Sequence, residues 1–282
     1  MPDFKVTRKC HEVLTVEAPY HGSRNWQFDA LLLADLHLDH PGCDRVLLKK
    51  LLDEAVRRGA PIAIIGDALD LMQGRDDRRA SKAALKPEYA LDYLDSVIEE
   101  AAGFLRPYAG NIVMISEGNH ESSVRRKLET NPTKRLAKEL GVDAGRYAGW
   151  IQWRFIDGGK TRTTFNLYFT HGSGGGGPVT KGVIQTNRMA AMLSNAHIVV
   201  SSHIHESWQL VNTVYALTDR GQPYTFDQLF VCIGNFKEEY RVLEGYHVEG
   251  GRPPKPLGGH WLQFKSSPDS HGRMSVDAVR AR

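Results

Sequence analysis

Apolar runs that stop abruptly at polar residues recur along the chain. FDALLLADLHLD (28–39), PIAIIGDALD (61–70), NIVMISEGNHE (111–121), TFNLYFTHGSG (164–174) and AHIVVSSHIHE (196–206) share this design, and QLFVCIGNF follows from Gln228. Short runs rich in β-branched residues read as strands buried on both faces of a sheet. Between them, CDRVLLKKLLDEAVRRG (43–59) places apolar residues at helical spacing and stops on a glycine. PEYALDYLDSVIEEAAGFL (87–105) reads as a second helix opened by Pro87, and PTKRLAKELG (132–141) and TKGVIQTNRMAAMLSN (180–195) as two more. Strand and helix in alternation predict an α/β fold with crossover connections. After about Gln209 the pattern turns strand-rich, with turn signals at DRGQP and EGGRPPKPLGG. The expectation is one domain over residues 1–282 with a mainly β C-terminal half. Excursions from the sheet fall at 74–86, polar and highly charged, at the glycine-dominated 172–178, and in a polar tail from Ser266.

Composition changes this picture little. Hydrophobic residues make up 41% and charged residues 24%, values of a water-soluble chain, and no apolar stretch approaches membrane-span length. The N-terminus MPDFKVTRKCHEVL lacks an apolar core of signal-peptide length. Cys10, Cys43 and Cys232 are odd in number and far apart, which argues against a disulfide framework or a CxxC metal site and for a reducing cytoplasm. A formal charge of +3 permits a phosphate-bearing partner, nucleic acid included, without singling one out. Nothing in the sequence signals an oligomeric state.

The chemistry lies where the apolar runs end. Asp35 and His37 close the first at a spacing of two, which on a strand turns both side chains to one side. Asp67 and Asp70 follow the second run, Asn119 and His120 the third, His171 the fourth, and His203 and His205 the fifth. Ends of strands in an α/β sheet converge where ligands bind. Asp, Asn and His without thiolate suit Mn, Fe or Zn. Seven ligands from this set would be too many for one four-coordinate site and would match two metals sharing a carboxylate. The run Gly174–Gly177 lacks the GxxxxGK[ST] spacing of a P-loop and reads as a loop beside His171.

In order, DLH, GDALD, GNHE, the His of THG, and SHIH resemble the DxH, GDxxD, GNH[DE], H and GHxH signature of calcineurin-like metallophosphoesterases. The match spans Asp35 to His205. The resemblance implies a four-layer αββα sandwich around a central pair of mixed β-sheets, and two divalent metal ions, with Mn favoured. It implies that Asp35, His37, Asp67 and His205 hold the first metal, that Asp67 bridges, and that Asn119, His171 and His203 complete the second. His120 would stand by the substrate as general acid or phosphate contact, oriented by Asp70, whose carboxylate would raise the imidazole pKa. Family members usually carry Gly where this chain has Ser202.

The implied activity is hydrolysis of a phosphate ester by a metal-bridging hydroxide. A phosphodiester, nucleic acid among the candidates, is slightly preferred for the mild basicity and the arginine-rich 74–86. A phosphomonoesterase, protein phosphatases included, is the alternative, suggested by GNHE and the Asp70–His120 arrangement; a Ser/Thr protein phosphatase ranks lower, because Leu71 and Met72 follow GDALD where those enzymes carry Arg-Gly. A binding module that keeps the fold is the non-enzyme reading, disfavoured by the full ligand set. Arg75, in the excursion after GDALD, and Arg125, after GNHE, are the candidate substrate contacts; a solvated helix face is the plainer reading of Arg125.

Overall fold

The computed structural model describes residues 3–23, 25–74, 77, 80, 85–89, 91–177, 179–241, 243, 246–266 and 274–282. The chain opens with β1 (Lys5–Cys10), β2 (Val13–Pro19), β3 (Gln27–Leu33), α1 (Arg45–Arg58) and β4 (Ile62–Ile65). It continues through α2 (Tyr93–Leu105), β5 (Ile112–Ser116), α3 (Asn119–Leu128), α4 (Pro132–Leu140) and the short β6 (Asp143–Ala144). The long strands β7 (Ala148–Asp157) and β8 (Lys160–Thr170) precede α5 (Gln185–Met192) and β9 (Ile198–Ser201). Then come β10 (Trp208–Leu217), β11 (Pro223–Cys232), the one-turn α6 (Tyr246–Glu249), β12 (Gly259–Ser266) and β13 (Met274–Ala281).

These strands form two sheets, β1-β2-β7-β8-β9-β11-β10 and β13-β12-β3-β4-β5-β6. Both are mixed. β3 to β6 run parallel, with β12 and β13 antiparallel at one side. In the other sheet β8, β9 and β11 are parallel, whereas β7 and β8, and β10 and β11, pair antiparallel.

Alternation along the strands sets the layers. Leu32, Ala63 and Val113 face the other sheet and pack with Val16, Ile151, Trp153, Leu167 and Val200. Leu31, Leu33, Ile62 and Ile64 face the opposite way, into a core with Leu48 and Leu52 of α1, Val97 and Ala101 of α2, and Leu136 of α4. Beyond the first sheet, Val199 and Phe230 pack with Leu193 and Ala196, next to Met189 and Ala190 of α5. The order is helices, sheet, sheet, helix. This is the expected αββα sandwich, in which the short α5 covers the outer face of the first sheet.

Helix ends follow their sequence signals. The Asp44 carboxylate accepts from Leu47 N at 3.0 Å to open α1, and Gly59 closes it at φ 64°. Asn131 caps α4 through Lys134 N at 2.8 Å, with Pro132 in the first turn. Two expected helices differ in extent. Pro87 opens only a 3₁₀ turn, Pro87–Tyr89, and α2 starts at Tyr93. The break lets Tyr89 enter the core, edge-on to Tyr93 at 6.0 Å between ring centroids. The helix expected over 180–195 is confined to α5, because Gly182 at φ 77° cannot continue a right-handed helix.

Candidate metal centre

Each singled-out Asp, Asn and His stands just beyond the C-terminal end of a strand. Asp35 and His37 follow β3, Asp67 and Asp70 follow β4, and Asn119 and His120 follow β5 as the first turn of α3. His171 follows β8, and His203 and His205 follow β9. Three ends come from one sheet and two from the other, so the site lies across the seam between them.

Strand alternation is not what brings Asp35 and His37 together. β3 ends at Leu33, and the two residues adopt left-handed backbone at φ 49° and 48°. Their amides are held by the neighbouring loop, Asp35 N to Gly66 O and His37 N to Asp67 O, each at 3.1 Å. Asp67 (φ 47°), His203 (φ 73°) and His205 (φ 55°) are left-handed as well. Such a conformation costs a non-glycine residue of order 1–3 kcal/mol and persists where the surroundings impose it. Five instances in one cluster mark a backbone bent to aim side chains inward. Two glycines make room: a Cβ at Gly66 would come within 2.2 Å of His171 Nδ1, and one at Gly118 within 2.0 Å of Asp67 Oδ1.

The side chains fall into groups. Asp35, His37 and His205 form one set, and Asp67, His171 and His203 another; within each, the ligand atoms lie within 4.8 Å of one another. Asn119 belongs to the second, its Oδ1 2.9 Å from His171 Nε2 and 2.7 Å from His203 Nδ1. Asp67 Oδ2 is 3.0 Å from His171 Nε2. Asp35 Oδ1 faces His205 Nε2 at 3.3 Å, His37 Nε2 at 3.9 Å and His171 Nε2 at 4.0 Å. That oxygen is fully buried and has no hydrogen-bond partner among the described residues. A buried carboxylate oxygen ringed by imidazole nitrogens and left without a hydrogen bond fits a cation. The oxygen and nitrogen donor set fits a borderline divalent ion.

Charge within the cluster is tightly balanced. Burial works to raise the Asp67 carboxyl pKa, but the His171 and His120 imidazoles overcome it and hold Asp67 well below the usual range. Burial works to lower His171, yet Asp67 and Asp35 overcome it and push His171 up to about 9. His203 and His205 are driven down, chiefly by burial. In His37, Asp70 outweighs burial and raises the pKa.

His120 and Asp70 depart from expectation. The Asp70 carboxylate sits 2.9 Å from His37 Nδ1 and 4.0 Å from His120 Nδ1. It is the Asp70 carbonyl that accepts a hydrogen bond from His120 Nδ1. His120 Nε2 is thereby left to face Asp67 Oδ2 at 3.6 Å. The expected rise in the His120 pKa is reversed: burial lowers it and outweighs Asp67 and Asp70. Asp70 therefore fixes the orientation of His120 through its main chain and confronts His37 with its side chain.

Arg125 is engaged away from the cluster, its Nε donating to the buried Glu117 at 2.7 Å, where Asn131 Nδ2 also donates at 2.8 Å. Arg75 lies outside the described residues. Several further residues brace the cluster. Asp39 accepts from Asp70 N at 2.5 Å, Leu71 N at 2.9 Å and the Tyr93 hydroxyl at 3.1 Å. Glu121 ties the same loop to the next, accepting from Leu69 N at 3.0 Å and Gly118 N at 2.9 Å. Ser202 Oγ lies 3.0 Å from His171 Nδ1 and donates toward the Ile65 or His171 carbonyl. Lys237, just past the sixth apolar run, is largely buried and helps lower the pKa values of His40 and Asp70 behind the burial and His37 effects. The run itself was visible in the sequence; the lysine beyond it carried no motif.

No protein-family model and no curated protein sequence matches the chain. Among solved structures, Vps29 from Entamoeba histolytica complexed with zinc is 11% identical, with 90% of this chain and 100% of that one covered at a TM-score of 0.39. A predicted phosphoesterase from Streptococcus pneumoniae is 12% identical, with 91% of each chain covered at a TM-score of 0.35. GAP50 of Plasmodium is 11% identical, covering 91% of this chain and 85% of its own, at a TM-score of 0.41. Likeness at this level carries nothing about chemistry, which rests on the side chains described above.

Proposed function

We propose that this chain is a dinuclear-metal phosphoesterase of the calcineurin-like kind. The observation that carries the reading is the buried Asp35 Oδ1, without a hydrogen bond and surrounded by His37, His171 and His205. Asp35, His37 and His205 would hold one ion and Asn119, His171 and His203 the other, with Asp67 between them. Bound there, the two ions would activate water and neutralise phosphate oxygens. His120 would meet the substrate at Nε2, since its Nδ1 proton is fixed on the Asp70 carbonyl. With its pKa lowered it is neutral near pH 7, so it would accept a hydrogen bond or gain its proton together with an anionic phosphate. Asp70 would position both His37 and His120. Arg75 and Arg125 remain proposed phosphate contacts by position in the sequence, and Arg125 would have to act from its Glu117 ion pair.

A phosphodiester substrate is preferred, as in the sequence reading, on mild basicity and the arginines of 74–86, with manganese as the favoured metal. The test is metal content of the purified chain, then turnover of bis-p-nitrophenyl phosphate and p-nitrophenyl phosphate with added Mn2+. Expected are two ions per chain and hydrolysis of the diester. His120→Ala should retain both ions and lose on the order of 10²–10⁴-fold in kcat. Preference for the monoester would move the assignment to phosphomonoesterases. Metal binding without turnover of either ester would favour a binding module, and failure to bind metal would overturn the reading.

A further inference from the structure

Beside the metal centre the fold holds a cavity of about 350 Å³, at the lower end of volumes that accept small organic ligands. His120 is the one member of the centre that lines it. The other principal walls are Leu71 from the loop after β4, Tyr93 and Leu94 from the start of α2, and Val124 and Leu128 from α3. Val124 and Leu71 are buried and Leu94 and Asp77 half-buried, whereas Leu128 and the charged Asp92, Asp95 and Lys127 are exposed at the mouth. The cavity thus has an apolar floor against His120 and a charged mouth.

Resting on the phosphoesterase reading, we propose that this cavity receives the alcohol portion of the substrate, and that the substrate is a small phosphate ester bearing an apolar group of about one ring. The geometry leads there directly. His120 turns Nε2 toward Asp67 and the ligand cluster, and its ring also walls the cavity. A phosphate held at the cluster puts its ester oxygen near His120, and the carbon skeleton beyond that oxygen enters the cavity. An apolar group packed against Leu71, Leu94 and Val124 gains by leaving water. The tyrosine wall is rigid, because the Tyr93 hydroxyl donates to Asp39 at 3.1 Å and accepts from Gln73 N at 3.1 Å. The volume suits one ring system.

The test is a methyl-labelled NMR titration of the zinc-loaded, diamagnetic protein with ethyl phosphate and with 2-phenylethyl phosphate. The phenylethyl ester should bind at least about tenfold more tightly, a modest return for burying several apolar carbons. It should also shift the Leu94, Val124 and Leu128 methyl signals, which ethyl phosphate should leave in place. Ser123→Phe, which fills the cavity from α3, should abolish the preference, and Leu94→Ser should weaken it, with zinc content as the check that each variant is folded. Equal affinity for the two esters, or unshifted methyls, overturns the proposal. Ester binding in the cavity by a protein that hydrolyses nothing would sink the phosphoesterase reading and leave the cavity as a ligand site. Hydrolysis with unshifted methyls would do the reverse.

Discussion

Ser202 shows how much one side chain can settle at this site. His171 presents Nε2 to Asp67 and Asn119, and Ser202 Oγ stands 3.0 Å from its Nδ1. The hydroxyl can donate to a main-chain carbonyl while accepting from Nδ1–H, which fixes the tautomer whose Nε2 lone pair is free for a cation. Without it, the remaining partner for Nδ1 is Ile65 O at 3.5 Å. Ser202→Ala should therefore weaken divalent-metal binding by about tenfold, at the low end of losses from deleting a ligand's outer partner. Isothermal titration with Zn2+ reads this directly, and unchanged affinity would show that Ser202 merely fills space. Gly118→Ala should be harsher, since its Cβ would lie 2.0 Å from Asp67 Oδ1. Weakened binding at both sites is expected there, since Asp67 would stand between them, with the fold retained by circular dichroism. The clustered Asp, Asn and His side chains were legible in the sequence because each follows an apolar run. The braces were legible only in part: Glu121 reaches Gly118 N three positions back, a local helix-capping pattern, whereas its bond to Leu69 N, that of Asp39 to Asp70 N and the approach of Ser202 to His171 join residues 31 to 52 positions apart, which no local pattern encodes.

At the scale of elements, the strands that deliver ligands announced themselves as compact apolar runs, while others used a quieter code. β7 alternates buried and half-buried positions along almost its full length, the mark of a strand with one face in the core. Its alternation of tryptophan, isoleucine and phenylalanine with glutamine and arginine was present in the sequence but lacked the polar stop that defined the other runs. β1 and β2 went unmarked for the same reason. The β10–β11 pair carries a different lesson. β9 pairs with β11 only from Leu229 to Cys232, so among the described residues no third strand pairs with the outer part of the hairpin. Val211, Tyr215 and Leu217 are exposed along that arm. An isolated two-stranded ribbon is marginally stable and opens locally. Amide hydrogen exchange should thus be much faster over 211–217 and 223–227 than over 229–232, by two orders of magnitude or more. Uniform protection along β11 would mean that something covers the arm.

For the whole molecule, the decisive fact is that two sheets and their helices converge to bury three carboxylates, Asp35, Asp67 and Asp70, among five imidazoles. Without metal, protons must do part of the balancing, and His171 holds one up to about pH 9, against 6.5 for an ordinary histidine. The sign follows from linkage: a raised folded-state pKa stabilises the metal-free protein fully below about pH 6.5, and that contribution disappears as pH rises through about 9. A cation at His171 replaces this proton, so metal binding at pH 7 should release about one proton from His171, with a further share from His37, whose pKa is also raised. His203 and His205, with lowered pKa values, are neutral at that pH and release none. Calorimetric titration with Zn2+ in buffers of different ionisation enthalpy should give a buffer-dependent heat equal to between one and two protons. Apparent affinity should fall about tenfold per pH unit below 9 for each proton displaced. The gain in melting temperature on adding metal should widen between pH 6.5 and 9, as the metal-free form loses its proton-borne stability and the metal-bound form does not. A binding heat independent of buffer would mean that the cation does not take the proton's place at His171, and would separate the buried cluster from metal binding altogether.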